Sequence, residues 1–395
     1  MNKETKKNIP ELRFPEYENE GEWKENVVSQ VAEYENGKAH EQDITENGKY
    51  IVVNSKFIST DGEVRKFSNF ANCLAKKEDI LMVLSDVPNG RAIAKCFYVD
   101  KNDTYTVNQR ICKITPVKSN SRFLLYLLNR NKFFLAFDDG VKQTNLRNED
   151  VLNCPIILPK NSKEQQKIAS CLSSLDELIE ANSQKLDALK EHKKGLMQNL
   201  FPQEGERVPK WRFKEFEGDG EWMETTLKNV CKMQAGKFVS ASEIKENKLN
   251  ETYPCYGGNG LRGYTKSYTH QGTFSLIGRQ GALCGNVTLA KGFFHATEHA
   301  IVVTPEFNMN TIWLFYLLKF LNLNQYATGQ AQPGLSVDNL VKIEIKVPSK
   351  EEEQQKIALC LSSLDELITA QGEKIEQLKL HKKGLMQGMF PSIEA

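Results

Sequence analysis

One stretch of this sequence is written twice. Glu164-Gln165-Gln166-Lys167-Ile168-Ala169 recurs as Glu353-Gln354-Gln355-Lys356-Ile357-Ala358, and the register then runs without a gap to Phe201-Pro202 and Phe390-Pro391. Of these 39 positions 28 are identical, a level of self-similarity that marks a repeat architecture. A second block repeats at a different offset: Pro10, Arg13, Phe14, Gly21, Glu22 and Trp23 return as Pro209, Arg212, Phe213, Gly220, Glu221 and Trp222. The offset is 189 residues in the first block (Gln165 to Gln354) and 199 in the second (Trp23 to Trp222). The segments between the blocks differ, so the order is cyclic: lead-in segment, variable domain, helix, then the same again. A chain of this kind closes on itself with pseudo-twofold symmetry, like a dimer fused into one polypeptide. The implied boundaries are a lead-in over 1–24, a variable domain over 25–160, a helix over 161–200, a linker repeating the lead-in over 201–223, a second variable domain over 224–348 and a second helix over 349–391.

Two domains also suit the length, since 395 residues exceed the roughly 250–300 that one core organises. Lys and Arg number 52 against 51 Asp and Glu, so no basic tail announces a nucleic-acid partner. Nine cysteines, an odd number without any C-x-x-C pair, read as reduced thiols, and no metal site is expected. No stretch approaches the ~18 apolar residues of a membrane span, and the polar start Met1-Asn2-Lys3-Glu4-Thr5 lacks the apolar core of a signal peptide. The expected compartment is the cytoplasm, without membrane contact.

The repeated block predicts one long helix. Ser162 with Gln165 forms a capping-box pattern, and apolar positions then step by four and three through Ile168, Leu172, Leu175, Ile179, Asn182, Leu186 and Leu189. The twin series is Ile357, Leu361, Leu364, Ile368, Gln371, Ile375 and Leu378. This is a heptad seam, so the two copies are expected to pair as a coiled coil, antiparallel under twofold symmetry. The alternative is that each helix covers only its own domain. Asn182 and Gln371 at equivalent seam positions read as register-setting polar residues. About 36 residues at 1.5 Å each span roughly 54 Å, a spacer's length.

Each variable domain alternates short β-rich runs with a helix. In the first, Lys49–Val53, Ile80–Leu84 and Tyr105–Asn108 read as strands and Arg122–Ala136 as an apolar helix. In the second, Phe274–Ile277 and Ala300–Val303 are the clearest strands, and the helix Ile312–Asn324 takes the place of the earlier one. Both domains end in a strand and a proline, at Ile156–Pro159 and Ile343–Pro348.

This plan resembles the specificity (S) subunits of type I restriction-modification systems. The residues that carry the resemblance are the two E-Q-x-K-I-A helix starts, Tyr256-Gly257-Gly258-Asn259-Gly260, Leu276-Ile277-Gly278-Arg279-Gln280-Gly281 and Cys284-Gly285-Asn286. In the first domain, Asp79-Ile80-Leu81 and Val107-Asn108-Gln109-Arg110 look like a different recognition subtype of that family. The implied fold is α+β: two pseudo-twofold-related α/β target-recognition domains separated by two long antiparallel helices forming a coiled coil. The implied role is a non-catalytic DNA-recognition subunit, each domain reading one half of a bipartite double-stranded target while the helices set the spacer. The implied partners are two modification (methyltransferase) subunits and two restriction (endonuclease/translocase) subunits, with S-adenosylmethionine, ATP and Mg2+ used on those partners.

The missing chemistry agrees with that implication. The chain has neither the N/D-P-P-Y/F motif of an amino-methyltransferase nor a G-x-x-x-x-G-K-S/T phosphate loop. His295-Ala296-Thr297-Glu298-His299 matches the H-x-x-E-H of some zinc peptidases. Its flanks read as strand, where residues four apart lie more than ~13 Å from each other, too far to share a metal ion. No catalytic residue is expected.

Base edges are read by Arg, Lys, Asn, Gln, Ser and Thr, and phosphates by Lys, Arg and exposed N–H groups. In the second domain the candidates are Asn259, Arg262, Tyr264, Lys266, Arg279, Gln280, Gln330 and Gln332, among glycines that let the backbone approach a groove. Arg279 stands out, because it follows a strand in a Gly-flanked loop where a guanidinium has no core role; the plainer reading is a surface salt bridge. In the first domain Asn89 and Arg91 follow the corresponding strand, and Asn108, Gln109, Arg110, Lys142, Gln143 and Asn145 fill similar places. The basic clusters Lys190–Lys194 and Lys379–Lys383 read as complements to the helix macrodipole, or else as contacts to partner subunits or spacer DNA. The segments around Trp23 and Trp222 are expected to pack where helix meets domain. A scaffold of two protein-binding modules on a coiled coil is the competing reading, favoured by the neutral charge and opposed by two divergent polar domains on a near-invariant frame.

Overall fold

The computed structural model describes residues 8–281, 283–329 and 333–391. They form two compact units, one built from the chain up to Asn182 together with the chain from Lys374 onward, the other from Ser183–Glu373. Each unit therefore owns one variable domain and part of each long helix, Ser162–Leu200 and Glu351–Met389. Among the described residues no helix is long and apolar enough to cross a membrane.

In the first unit Lys24–Val27 pairs antiparallel with Pro155–Leu158, closing the variable domain at its own ends. The principal sheet runs in the order Ala32–Asn36, Ile111–Pro116, Ile80–Val83, Cys96–Tyr98. Ile80–Val83 is buried on both faces, as its uninterrupted apolar run requires. One face meets Trp23, Phe123, Ile168 and Leu172; the other, through Leu81 and Val83, meets Val53, Phe57 and Val107 in a second small core. The second unit repeats the plan: Met223–Thr226 pairs with Glu344–Val347, and the sheet runs Cys231–Ala235, Ala300–Pro305, His270–Gly278, Val287–Ala296. It then extends by the hairpin Tyr253–Gly257 and Gly260–Thr265.

The apolar helix expected over Arg122–Ala136 is two helices, Ser121–Leu128 and Lys132–Leu135. Asn129 turns out of the helix to accept the Cys96 N–H at 2.9 Å, Arg130 takes a positive φ of 56°, and Asn131 caps the second piece by accepting the Phe133 N–H. Hydrophobic periodicity does not register such polar interruptions. In the second unit the helix is Thr311–Phe320, and after Asn322 (φ 45°) a 3-10 turn covers Leu323–Tyr326.

Each letter of the repeated E-Q-x-K-I-A has a job, performed twice. Glu164 accepts a two-pronged ion pair from Arg13, at 2.7 and 2.9 Å, and the Trp23 indole N–H at 3.3 Å. Glu353 does the same for Arg212, at 2.8 and 2.7 Å, and for Trp222 at 3.2 Å. Gln165 accepts the Asn120 N–H at 2.9 Å and Gln354 that of Asn310 at 2.9 Å, pinning the start of each domain helix. Lys167 lies over the Phe14 ring and pairs with Glu16; Lys356 lies over Phe213 and pairs with Glu215. Ile168 and Ala169, like Ile357 and Ala358, enter the core. Gln165 is thus not part of a capping box, and the side chain that caps this helix is Asn161, which accepts the Lys163 N–H.

The far ends of the helices repeat as faithfully. In the first unit Phe390 meets Trp23 edge-on and Phe123 at a tilt, and the Leu12 N–H donates to the Gly388 carbonyl at 2.8 Å. In the second, Phe201 meets Trp222 and Trp313, and the Trp211 N–H donates to Asn199 at 3.0 Å. The lead-in segments do pack where helix meets domain, and the terminal Phe of each repeat is their partner. Within each unit the two long helices run antiparallel. Asp176 binds Lys382 of the other helix and accepts the Tyr126 hydroxyl proton at 2.7 Å, while Asp365 binds Lys193 at 2.5 Å and the Tyr316 hydroxyl at 2.6 Å. Both lysines also lie about 5 Å from their tyrosine ring centres, a favourable cation–π distance. The central lysine of each basic cluster is therefore a tie between helices, not a macrodipole complement; Lys190 and Lys194 face acids of their own helix at 3.5 and 4.0 Å.

Burial, followed by the Asp176 carboxylate, pushes the Tyr126 hydroxyl well above its ordinary pKa, and Tyr316 beside Asp365 behaves alike. Each stays a proton donor. Tyr126→Phe and Tyr316→Phe each remove a hydrogen bond to a charged group and are expected to cost about 1.5–3 kcal/mol, read in thermal denaturation.

No seam position is exposed. Ile168, Leu172, Ile357 and Leu361 belong to the domain cores, Asn182, Gln371 and Ile375 are buried, and Leu175, Ile179, Leu186, Leu189, Leu364, Ile368 and Leu378 are half-buried. The first two positions of each helix thus cover their own domain, the alternative role weighed from sequence. The Asn182 amide donates to the Leu178 carbonyl of its own helix at 2.6 Å. All nine cysteines are free, and burial raises the Cys112 and Cys154 thiols to about 12, so both are protonated at neutral pH.

Candidate nucleic-acid interface

The first domain gathers its candidates at one end of the principal sheet. Leu84, just past the strand Ile80–Val83, donates its N–H to the Arg110 carbonyl at 2.9 Å and accepts the Leu146 N–H at 2.8 Å. That single residue ties together the loop 85–91, the turn 108–110 and the short strand Thr144–Asn145. Asn89 takes a positive φ of 53° and its amide donates to the Gly140 carbonyl at 3.1 Å, so it shapes the loop. Gln143 donates to Ser85 at 2.7 Å and to Asn145 at 3.2 Å. Gln109 donates to Glu41 at 2.9 Å. Arg91, Arg110 and Lys142 are exposed and have no ion-pair partner among the described residues, leaving their charge available to an anionic ligand. The loop beneath Lys142 is held by Asp139, whose carboxyl is lowered by the N–H groups of Lys142 and Val141.

In the second domain, an open cleft of about 500 Å3 lies between the hairpin and the loop after His270–Gly278; Asn259, Arg262, Gln280 and His299 line it. Tyr264 and Lys266 sit farther along the hairpin and are not among the lining residues. Tyr264 is tied by its backbone to Lys245. Gln330 and Gln332 lie outside the described residues. Arg279 is half-exposed, and its backbone is clamped on both sides, N–H to His299 and carbonyl from Leu335, each at 2.9 Å. It has no ion pair among the described residues, so the salt-bridge reading finds no support in the described partners. The glycines here serve internal packing first: a Cβ on Gly278 would sit 2.0 Å from the Gly258 carbonyl oxygen.

If Arg279 grips a base, Arg279→Ala is expected to cost about 1–3 kcal/mol and to relax one half of the recognised sequence only. An equal loss on all sequences would make it a phosphate contact. Salt-titrated binding to matched and mismatched duplexes separates the two.

The H-x-x-E-H match dissolves structurally. His295 lies in the strand Val287–Ala296, its Nε2 faces the Lys237 carbonyl at 3.1 Å and its Nδ1 the Ser267 hydroxyl at 3.4 Å. Both ring nitrogens are thus engaged by protein groups. The end of the same motif is what sequence reasoning missed, because Glu298 and His299 form a turn at the cleft, 3.3 Å from each other, with one Glu298 oxygen buried and unpartnered.

The signature of the type I restriction modification DNA specificity domain matches this chain twice, over residues 20–191 and 219–380. Over 156 residues the chain is 50% identical to the type I restriction enzyme EcoprrI specificity subunit of Escherichia coli, covering 39% of this chain and 38% of that protein. Full-length similarity is lower: 23% over 386 residues to a putative type I specificity subunit of Mycoplasma genitalium, 94% of each chain, and 25% over 411 residues to the MjaVIII specificity subunit of Methanocaldococcus jannaschii, 95% and 92%. Among solved structures, the S subunit of a type I restriction-modification system from M. genitalium matches with a TM-score of 0.68 at 18% identity, covering 98% of this chain and all of that one. A chain from a structural study of type I complex assembly matches at 0.55 and 16%, covering 94% and 98%. With the family signature spanning both variable domains and most of both helices, and the same joints built twice, the chain belongs to the DNA specificity subunits of type I restriction-modification systems.

Proposed function

We propose that each unit reads one half of a bipartite double-stranded DNA target, and that the chain performs no catalytic step itself. The observation that carries this reading is the contrast between constant and variable parts. The joints at Glu164 and Glu353, Gln165 and Gln354, Asp176 and Asp365 are the same in kind, while the exposed polar loops differ. Selection for different sequences on one assembly frame produces that contrast. In this reading the paired helices set the spacer and dock two modification subunits, which bring in two restriction subunits, within the cytoplasm. S-adenosylmethionine, ATP and Mg2+ act on those partners.

The test is salt-titrated DNA binding by the subunit reconstituted with its modification subunits, together with sequencing of methylated adenines in a host carrying the complex. The expected result is a two-part motif and an affinity that falls steeply with salt. Salt-independent behaviour with no motif would favour the protein-scaffold reading, and methyl transfer by the purified chain alone would overturn its non-catalytic role. Alone, with a net charge of +1, the subunit is expected to bind DNA weakly, because it offers little counterion release.

A further inference from the structure

The two variable domains share one more device, outside the repeated blocks. The residue pair Gly37-Lys38 recurs as Gly236-Lys237, at the same 199-residue offset as the lead-in segments. In the first unit the Gly37 N–H donates to the Ile111 carbonyl at 2.9 Å and the Lys38 N–H to Val107 at 3.0 Å. In the second the Gly236 N–H donates to Ala300 at 2.9 Å and Lys237 to Ala296 at 2.8 Å. The acceptors are four residues apart in both cases and bracket a turn closed by Ile111 N–H to Asn108, or Ala300 N–H to Thr297. The adjoining strand registers also correspond, Asn36 opposite Cys112 and Ala235 opposite Ile301.

The glycine is required by close approach. A Cβ on Gly37 would lie 2.0 Å from the Asn108 carbonyl oxygen, and one on Gly236 would lie 2.2 Å from that of Ala296. Its neighbour in both units is an exposed lysine with no ion-pair partner among the described residues. The turn it buttresses carries different side chains in the two units: Gln109 and Arg110 in one, Glu298 and His299 in the other. A constant cation beside a variable polar pair, on one rigid backbone frame, is the division of labour that DNA reading needs, since phosphate contacts position and base contacts specify.

We propose that this composite is the shared reading head of both domains, in which Lys38 and Lys237 hold a DNA phosphate while Gln109 and Arg110, or Glu298 and His299, meet base edges. The proposal rests on the DNA-reading function above. The chemistry of the pairs differs accordingly: Arg110 suits the O6 and N7 acceptors of guanine, and Glu298, whose side chain is 33% exposed, has the acceptor chemistry that suits the N4 amino group of cytosine.

The experiment uses the subunit reconstituted with its modification subunits. Binding to a random-sequence duplex is titrated with salt for the wild type, Lys38→Ala, Lys237→Ala and Lys38→Arg, and the methylated motif is sequenced for Arg110→Ala and Glu298→Gln. Each Lys→Ala is expected to weaken binding and to lower the logarithmic salt slope by about 1, while Lys38→Arg retains it. Arg110→Ala should relax one half of the motif and Glu298→Gln the other, each losing discrimination by roughly 5- to 150-fold at one position. An unchanged salt slope in both Lys→Ala variants overturns the proposal, as do turn variants that leave both half-motifs intact. A wild-type complex without salt-dependent binding would instead refute the DNA-reading function itself.

Discussion

Glu353→Ala is expected to destabilise the second unit by about 3–5 kcal/mol, the cost of leaving one partner of a buried ion pair behind. The carboxylate side chain is 1% exposed and Arg212 only 5%, and its removal strands both the guanidinium and the Trp222 indole N–H. Against a typical domain stability of about 5–15 kcal/mol this is a large fraction, and for a unit of this size it lowers the melting temperature by on the order of 10 °C. Glu164→Ala should act the same way through Arg13 and Trp23 in the first unit, where the Glu164 side chain is 0% exposed and that of Arg13 is 6% exposed. The control is Glu353→Leu with Arg212→Met, which removes both charges and should recover much of the loss. A single variant as stable as wild type would show that this joint does not hold helix to domain.

The second large effect concerns specificity. Replacing residues 25–159 by a second copy of 224–348 is expected to give a folded chain whose methylated motif contains the second half-sequence twice, once on each strand. The graft is compatible because the frame meets the same groups in either unit. Gln165 and Gln354 each accept a domain-helix N–H, from Asn120 or Asn310, and Asp176 and Asp365 each accept a tyrosine, Tyr126 or Tyr316. Trp23 and Trp222 each pack on the first turn of that helix, against Phe123 or Trp313. Sequencing of methylated adenines reads the outcome. A motif that keeps any part of the first half-sequence would refute independent reading by the two domains.

Much of this protein was already determined by its sequence. The cyclic repeat specified two like units, the 39-residue helices and the invariant residues of the joints, because a block written twice must satisfy the same neighbours twice. Strands such as Ile80–Val83 and Ala300–Pro305 were legible from their apolar runs, which local periodicity encodes. Tertiary structure decided what each repeated letter touches. Nothing in the spacing joins Arg13 to Glu164 across 151 residues, or makes Lys382 a partner of Asp176 rather than a complement to its own helix end. It also decided that the helix over 122–136 breaks at Asn129–Asn131, since the Asn129 amide oxygen accepts the N–H of Cys96 on a separate strand. For the candidate interface, the sequence supplied the polar residue types and the fold supplied their company. Arg110 and Leu146 meet only through the backbone of Leu84, and His299 reaches the cleft of Asn259 and Arg262 only because a strand ends at Ala296. Hydrogen bonds and close approaches between distant segments depend on where the chain returns in space, and a one-dimensional pattern carries that information only when it is repeated.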